Sequence, residues 1–201
     1  MENPEEKFRA LAETPTAVLM KQAGVHLAAW VAVFSMFAAA DGWYQLTGWS
    51  MASLLSVITG LAAGFLTVNL VHEWFHYFGA KLTSANYKLS AKPSLFVFDW
   101  DFEKNGLGQF YTMSIAGTLG GATALLLISQ AIDIDSTGRA ALVAGAAASF
   151  AFGSIIEWPV LLRTRKSKNP LQELSGITPA VLGKAATGSA VTGLICLAVL
   201  T

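Results

Sequence analysis

The sequence predicts an all-α polytopic membrane protein of about five transmembrane helices with one short β-hairpin insert. Three observations carry that expectation. Hydrophobic residues make up 54% of the 201 positions and charged residues only 13%, where a soluble domain carries about 25% charge. The apolar residues gather into five stretches, each near the roughly 20 residues that cross a hydrocarbon core of about 30 Å. The 13 lysines and arginines fall almost entirely on one side of those stretches, which orients the chain.

Residues 1–22 begin MENPEEKFRALAETP, acidic and polar, without the basic start and cleavage site of a secretory signal. They read as a cytosolic N-terminal segment. Residues 23–201 read as a single membrane domain. Its first span, 23–40, ends at the charge of Asp41, and the second, 51–80, is long enough to cross and emerge. Spans three, four and five cover 110–132, 140–162 and 176–200. Gly117, Gly120, Gly121, Gly145 and Gly153 are dense there, and small residues let helix backbones approach closely in lipid.

The insert at 81–109 is the one sizeable polar connection. Within it LFVFDWDFE alternates strictly, with Phe96, Phe98, Trp100 and Phe102 on one face and Val97, Asp99, Asp101 and Glu103 on the other. A period of two over residues 95–103 predicts a strand, and Asn105-Gly106 supplies a turn. The expected arrangement is a hairpin on the membrane surface, its aromatic face in the headgroups and its acids solvated.

Orientation follows from the cations. Lys7, Arg9, Lys21, Lys81, Lys88, Lys92, Lys104, Arg163, Arg165, Lys166 and Lys168 lie in segments that five spans place together, and only Arg139 lies opposite. Lys184, inside the fifth span, can snorkel. The N-terminus is therefore expected in the cytosol and the C-terminus on the other side. Trp43, Tyr44 and Trp49 fit an outer aromatic belt, and Trp100, Tyr111 and Trp158 an inner one. Zero net charge leaves no basic footprint for nucleic acid. The single cysteine, Cys196, excludes a disulfide framework and a thiolate zinc cluster.

Chemistry concentrates in His72-Glu73-Trp74-Phe75-His76. Positions four apart share a helix face, so both imidazoles can reach one ion, and Glu73 is placed to take a proton from water. A zinc site with an open position for water needs a third protein ligand. Glu157 is the other acidic residue inside a span. His76 precedes Lys81 by five residues and Glu157 precedes Arg163 by six. At 1.5 Å per residue these are about 7.5 and 9 Å from the basic flank, so His72, His76 and Glu157 share one layer of the bundle. Ionisable groups inside a membrane span are costly and mark function by default. A structural carboxylate bonded to a neighbouring helix or to Lys184 is the alternative for Glu157.

HEWFHYFGA, residues 72–80, fits the HExxHxxxA pattern of a membrane helix. AGTLGGATALL, residues 116–126, looks like an AGPxxN-type segment with Thr118 at the proline and Gly121 at the asparagine. On these segments the chain resembles the site-2 protease family of intramembrane zinc metalloproteases over roughly residues 51–163. Glu157-Trp158 stands where that family's third core helix carries Asp-Gly. The resemblance implies a three-helix core, bound Zn2+ and hydrolysis of a transmembrane or membrane-proximal peptide bond near the cytosolic face. Glu73 is then the catalytic base, and His72, His76 and Glu157 are the metal ligands.

Asn69, one turn before Glu73, is a candidate for orienting substrate. The strand bearing Phe96, Phe98 and Trp100 is a candidate edge for holding an extended peptide by β-augmentation. The partners expected are the lipid bilayer and a membrane-protein substrate or partner subunit. Two other functions fit parts of the sequence. One is a non-catalytic subunit of a larger membrane complex. The other is a pigment- or haem-binding subunit, since His26 and Trp30 match the His-to-Trp spacing of bacterial antenna helices.

Overall fold

The computed structural model describes residues 14–90 and 92–201. Six helices and two short strands follow in the order α1 (Pro15–Thr47), α2 (Ser50–Leu82), β1 (Tyr87–Leu89), β2 (Phe98–Trp100), α3 (Leu107–Ala131), α4 (Thr137–Ser167), α5 (Pro170–Ser175) and α6 (Pro179–Leu200). All but α5 are long and apolar enough to cross a membrane. By the length and composition of these helices the chain is an integral membrane protein.

The helix ends are chemically marked. Thr14 caps α1 by accepting from the Ala17 N–H, with Pro15 at the first helical position, where its missing donor is harmless. Ser136 and Thr178 cap α4 and α6 in the same way. Gly48 closes α1 in the left-handed region at φ 64°, a conformation glycine adopts without a Cβ penalty. Arg165 and Lys166 occupy the last turn of α4, opposite in sign to the helix C-terminus.

Helix α2 is the centre of the bundle, packed most extensively on α4 and α3; α1 lies against α2, and α6 against α4. A Cβ at Gly64 would overlap the backbone of Leu142, so α2 and α4 meet backbone to backbone. The interior is correspondingly fine-grained, with Ala52, Ala63, Ala80, Ala140, Ala144 and Ala146 fully enclosed. Large side chains face outward instead: Leu119, Leu126, Leu127, Leu194 and Val199 are all more than half exposed. A soluble monomer rarely tolerates such a surface, whereas lipid solvates it.

Three sequence expectations change. The first span is longer than 23–40. Residues 15–22 form the opening turns of α1, the helix runs through Asp41 to Thr47, and residues 1–13 lie outside the described residues. Asp41 does not end the span because its charge is neutralised inside the bundle. It is 5% exposed, 3.0 Å from Arg139 Nε, and accepts hydrogen bonds from Ser56 and Ser136. The expected 41–50 loop shrinks to Gly48-Trp49.

The strand is shorter than 95–103. Only Phe98–Trp100 pairs, antiparallel with Tyr87–Leu89, because a strand persists only as far as its partner. Asp101 then accepts from the N–H groups of Glu103 and Lys104, a side-chain turn that competes with the ladder. Asn105-Gly106 is not the hairpin turn. Asn105 clamps Asn86 through two bonds at 2.7 and 2.6 Å, and Gly106 starts α3.

The aromatic face is turned toward the bundle rather than to headgroups. Phe98 packs on Tyr77 and Tyr87. Trp100 meets Phe110, and with Phe102 it borders the buried Phe110–Val160–Leu161 cluster. Phe96 alone remains 62% exposed.

Candidate metal centre

His72 and His76 project from one face of α2 toward α4, where Glu157 meets them. Nε2 of His72 is 2.7 Å from Glu157 Oε1, Nε2 of His76 is 3.0 Å from the same oxygen, and the two Nε2 atoms are 2.9 Å apart. These are the one group of three such side chains among the described residues whose donor atoms all lie within 4.8 Å of one another. The side chains of the histidines are 12% exposed and that of Glu157 23%.

Surrounding groups orient the triad. Nδ1 of His76 donates to the Met113 carbonyl of α3 at 2.9 Å. That bond places the proton on Nδ1 and leaves the Nε2 lone pair facing the centre, the outer-sphere arrangement metal-ligating histidines use. Thr118 Oγ1 sits 3.5 Å from the other oxygen of Glu157. Helix α3 presents bare backbone to the imidazoles: a Cβ at Gly117 would overlap the His76 ring, and one at Gly121 would lie 3.5 Å from His72 Nδ1. Pro159 lies within α4 two residues beyond Glu157, so the Ile155 carbonyl loses its helical donor.

Metal–nitrogen and metal–oxygen bonds of about 2.0–2.1 Å put neighbouring ligands of a tetrahedral zinc site roughly 3.3 Å apart. The observed triangle is a few tenths of an ångström tighter, within the reach of a small side-chain adjustment. Two imidazoles and one carboxylate also form a hydrolytic donor set, leaving a fourth position for water. The residues present therefore fit zinc.

Glu73 is half-buried and within electrostatic range of His72, His76 and Glu157. Asn69 keeps a buried Nδ2 with no hydrogen-bond partner, one turn before Glu73. Phe96, Phe98 and Trp100 are not brought to the centre. The cavity beside His76 and Glu157 is lined instead by Phe110, Met113, Val160 and Ile177, among others. Lys184 is not a partner of Glu157 among the described residues.

Sequence reasoning missed the Met113 carbonyl, gave Thr118 and Gly121 a place in the AGPxxN-type segment but no contact, and read Gly117 only as a helix-packing residue. The spacing of Gly117, Thr118 and Gly121 on α3 carried a usable signal, since positions three and four apart share a face.

His26 has both ring nitrogens engaged. Trp74, inside the His72–His76 segment, donates its indole N–H to His26 Nδ1 at 3.0 Å. His26 Nε2 then donates to the Ser94 carbonyl at 2.8 Å. Trp30 bonds Thr67. In this arrangement neither nitrogen of His26 is free to ligate a pigment. The chain matches no family model, no curated protein and no solved structure.

Proposed function

We propose that this chain is an intramembrane zinc metallopeptidase whose ligands are His72, His76 and Glu157 and whose general base is Glu73. The observation that carries the proposal is the convergence of three donor atoms from two helices, 2.7–3.0 Å apart, in a bundle whose other buried carboxylate, Asp41, is already paired with Arg139. Ionisable groups collected there need a reason. Zinc, when bound, polarises a carbonyl and makes water nucleophilic near neutral pH.

The protein's own groups then have distinct tasks. Met113 holds the His76 tautomer, and Thr118 steadies the Glu157 carboxylate. Glu73 accepts the proton of the attacking water and returns it to the leaving amine nitrogen, the acid–base pairing that amide hydrolysis requires. The unpartnered amide of Asn69 offers a donor to a substrate carbonyl, which would offset the roughly 1–3 kcal/mol penalty of a buried orphan. Among the described residues the far edge of β2 pairs with no further strand, and such an edge holds an extended peptide through main-chain bonds. The concentration of cations at this end of the bundle supports a cytosolic-side position for it, and for the bond cleaved.

Elemental analysis of the purified protein tests the reading. About one zinc per chain is expected, lost in His72→Ala and retained in Glu73→Gln. Absence of metal in the unaltered protein overturns the proposal. Glu73→Gln should also abolish cleavage of labelled casein by the zinc-loaded protein. Bound zinc with no cleavage by either protein favours the non-catalytic subunit, for which Gly121 and Glu157-Trp158, at positions where the similar family carries other residues, already speak.

A further inference from the structure

A cavity of about 140 Å³ adjoins the His76–Glu157 side of the metal centre. Beyond those two residues and Ser114 its walls are hydrocarbon, with Phe110 and Met113 from α3, Val160 from α4, and Leu174 and Ile177 from the segment around α5. An engineered apolar cavity of about 150 Å³ stays dry and binds benzene, so the volume matches one large apolar side chain.

We infer that this cavity is the specificity pocket of the peptidase, taking one side chain of leucine or phenylalanine size from the residue next to the cleaved bond. The inference rests on the metallopeptidase reading and adds the substrate class to it. Two of the three ligands form one end of the cavity, so a side chain lodged there belongs to a residue whose backbone is at the reacting centre.

The walls are preformed. Phe110, Val160 and Leu161 are 3%, 3% and 5% exposed, and Phe110 is braced by Trp100 and Tyr111. The floor is held by the ion pair of Arg163 with Glu173 at 2.8 Å. A preformed apolar pocket binds without paying for reorganisation. A cationic side chain would be desolvated there with only a carboxylate already committed to the metal centre beside it, and an acidic one would be repelled by that Glu157 carboxylate.

Hydroxamates test the pocket without requiring turnover. Calorimetry on the zinc-loaded full-length protein in detergent compares acetohydroxamate with 4-methylpentanohydroxamate and 3-phenylpropanohydroxamate. The two larger probes should bind at least about tenfold tighter, as burying a few methylenes provides. Ile177→Trp, and separately Leu174→Trp, fill the cavity from its floor and should reduce that ratio to below about twofold, with acetohydroxamate still bound. Equal affinity for all three probes overturns the pocket, as does a ratio that neither substitution changes. Failure of acetohydroxamate itself to bind overturns the metal reading, and the pocket with it.

Discussion

Gly117 of α3 faces the imidazole of His76 so closely that a methyl group on its Cα would overlap the ring. The same ring is held from its other nitrogen by the Met113 carbonyl, four residues earlier on α3. One turn of α3 thus confines His76 on two sides.

Gly117→Ala should therefore act on metal affinity before anything else. A displaced outer-sphere contact typically costs about 10–100-fold in metal affinity, and overpacking adds roughly 1–3 kcal/mol of destabilisation. Gly183→Ala, where a Cβ meets open space, is the control and should leave zinc binding unchanged. Competition titration with a chelating dye and thermal unfolding in detergent separate the two effects.

The proposed third ligand, Glu157, can be tested against its neighbour. Glu157→Gln keeps the side chain's shape and removes its charge, so the zinc content measured by elemental analysis should fall to near zero. Thr118→Val removes one hydroxyl at 3.5 Å, a long contact, and should weaken zinc by less than about tenfold. Equal losses in the two variants would contradict the assigned roles.

Asp41 joins α1 to α2 and α4 at the opposite end of the bundle. Asp41→Ala leaves the hydroxyls of Ser56 and Ser136 without their acceptor and Arg139 with Asp135 alone. Breaking a buried pair costs about 3–5 kcal/mol; with Arg139 a third exposed, a loss of roughly 2–3 kcal/mol is expected. Adding Arg139→Met should recover part of it. Unfolding in mixed detergent micelles would measure the cycle, and additive losses would show that the pair is not coupled.

His26 links the motif helix to the connection between the strands. Besides the Trp74 and Ser94 bonds, Gln22 donates to the Ser94 carbonyl and accepts from its N–H. Removing the imidazole in His26→Ala should loosen residues 92–97, seen as amide exchange at least several-fold faster there and unchanged in α4. Trp74→Phe deletes one neutral bond, worth about 1 kcal/mol, and should produce a smaller change at the same amides.

The span positions were legible because membrane insertion responds to local composition: some twenty apolar residues identify a helix wherever they later pack. The motif was legible for a similar reason, since the spacing of His72 and His76 is a property of one helix. Glu157 came within reach through a measure of depth, rise per residue from a basic flank, which requires no knowledge of packing. Where strand-period alternation met a short partner, the same local logic overran. Residues 95–103 alternate throughout, yet only the three residues opposite Tyr87–Leu89 form the ladder.

What the sequence by itself determined is that five stretches are apolar enough to span, roughly where they run, and that the second and fourth carry the His72, Glu73, His76 and Glu157 groups. The tertiary structure alone decided which faces meet. It brought Glu157 onto His72 and His76, aimed the Met113 carbonyl at the second nitrogen of His76, enclosed Asp41 with Arg139, and turned Phe98 and Trp100 onto the bundle. The reason is physical. Hydropathy is summed along a chain, whereas a hydrogen bond or ion pair depends on the rotation and separation of two helices, and those are set by every small residue along their contact.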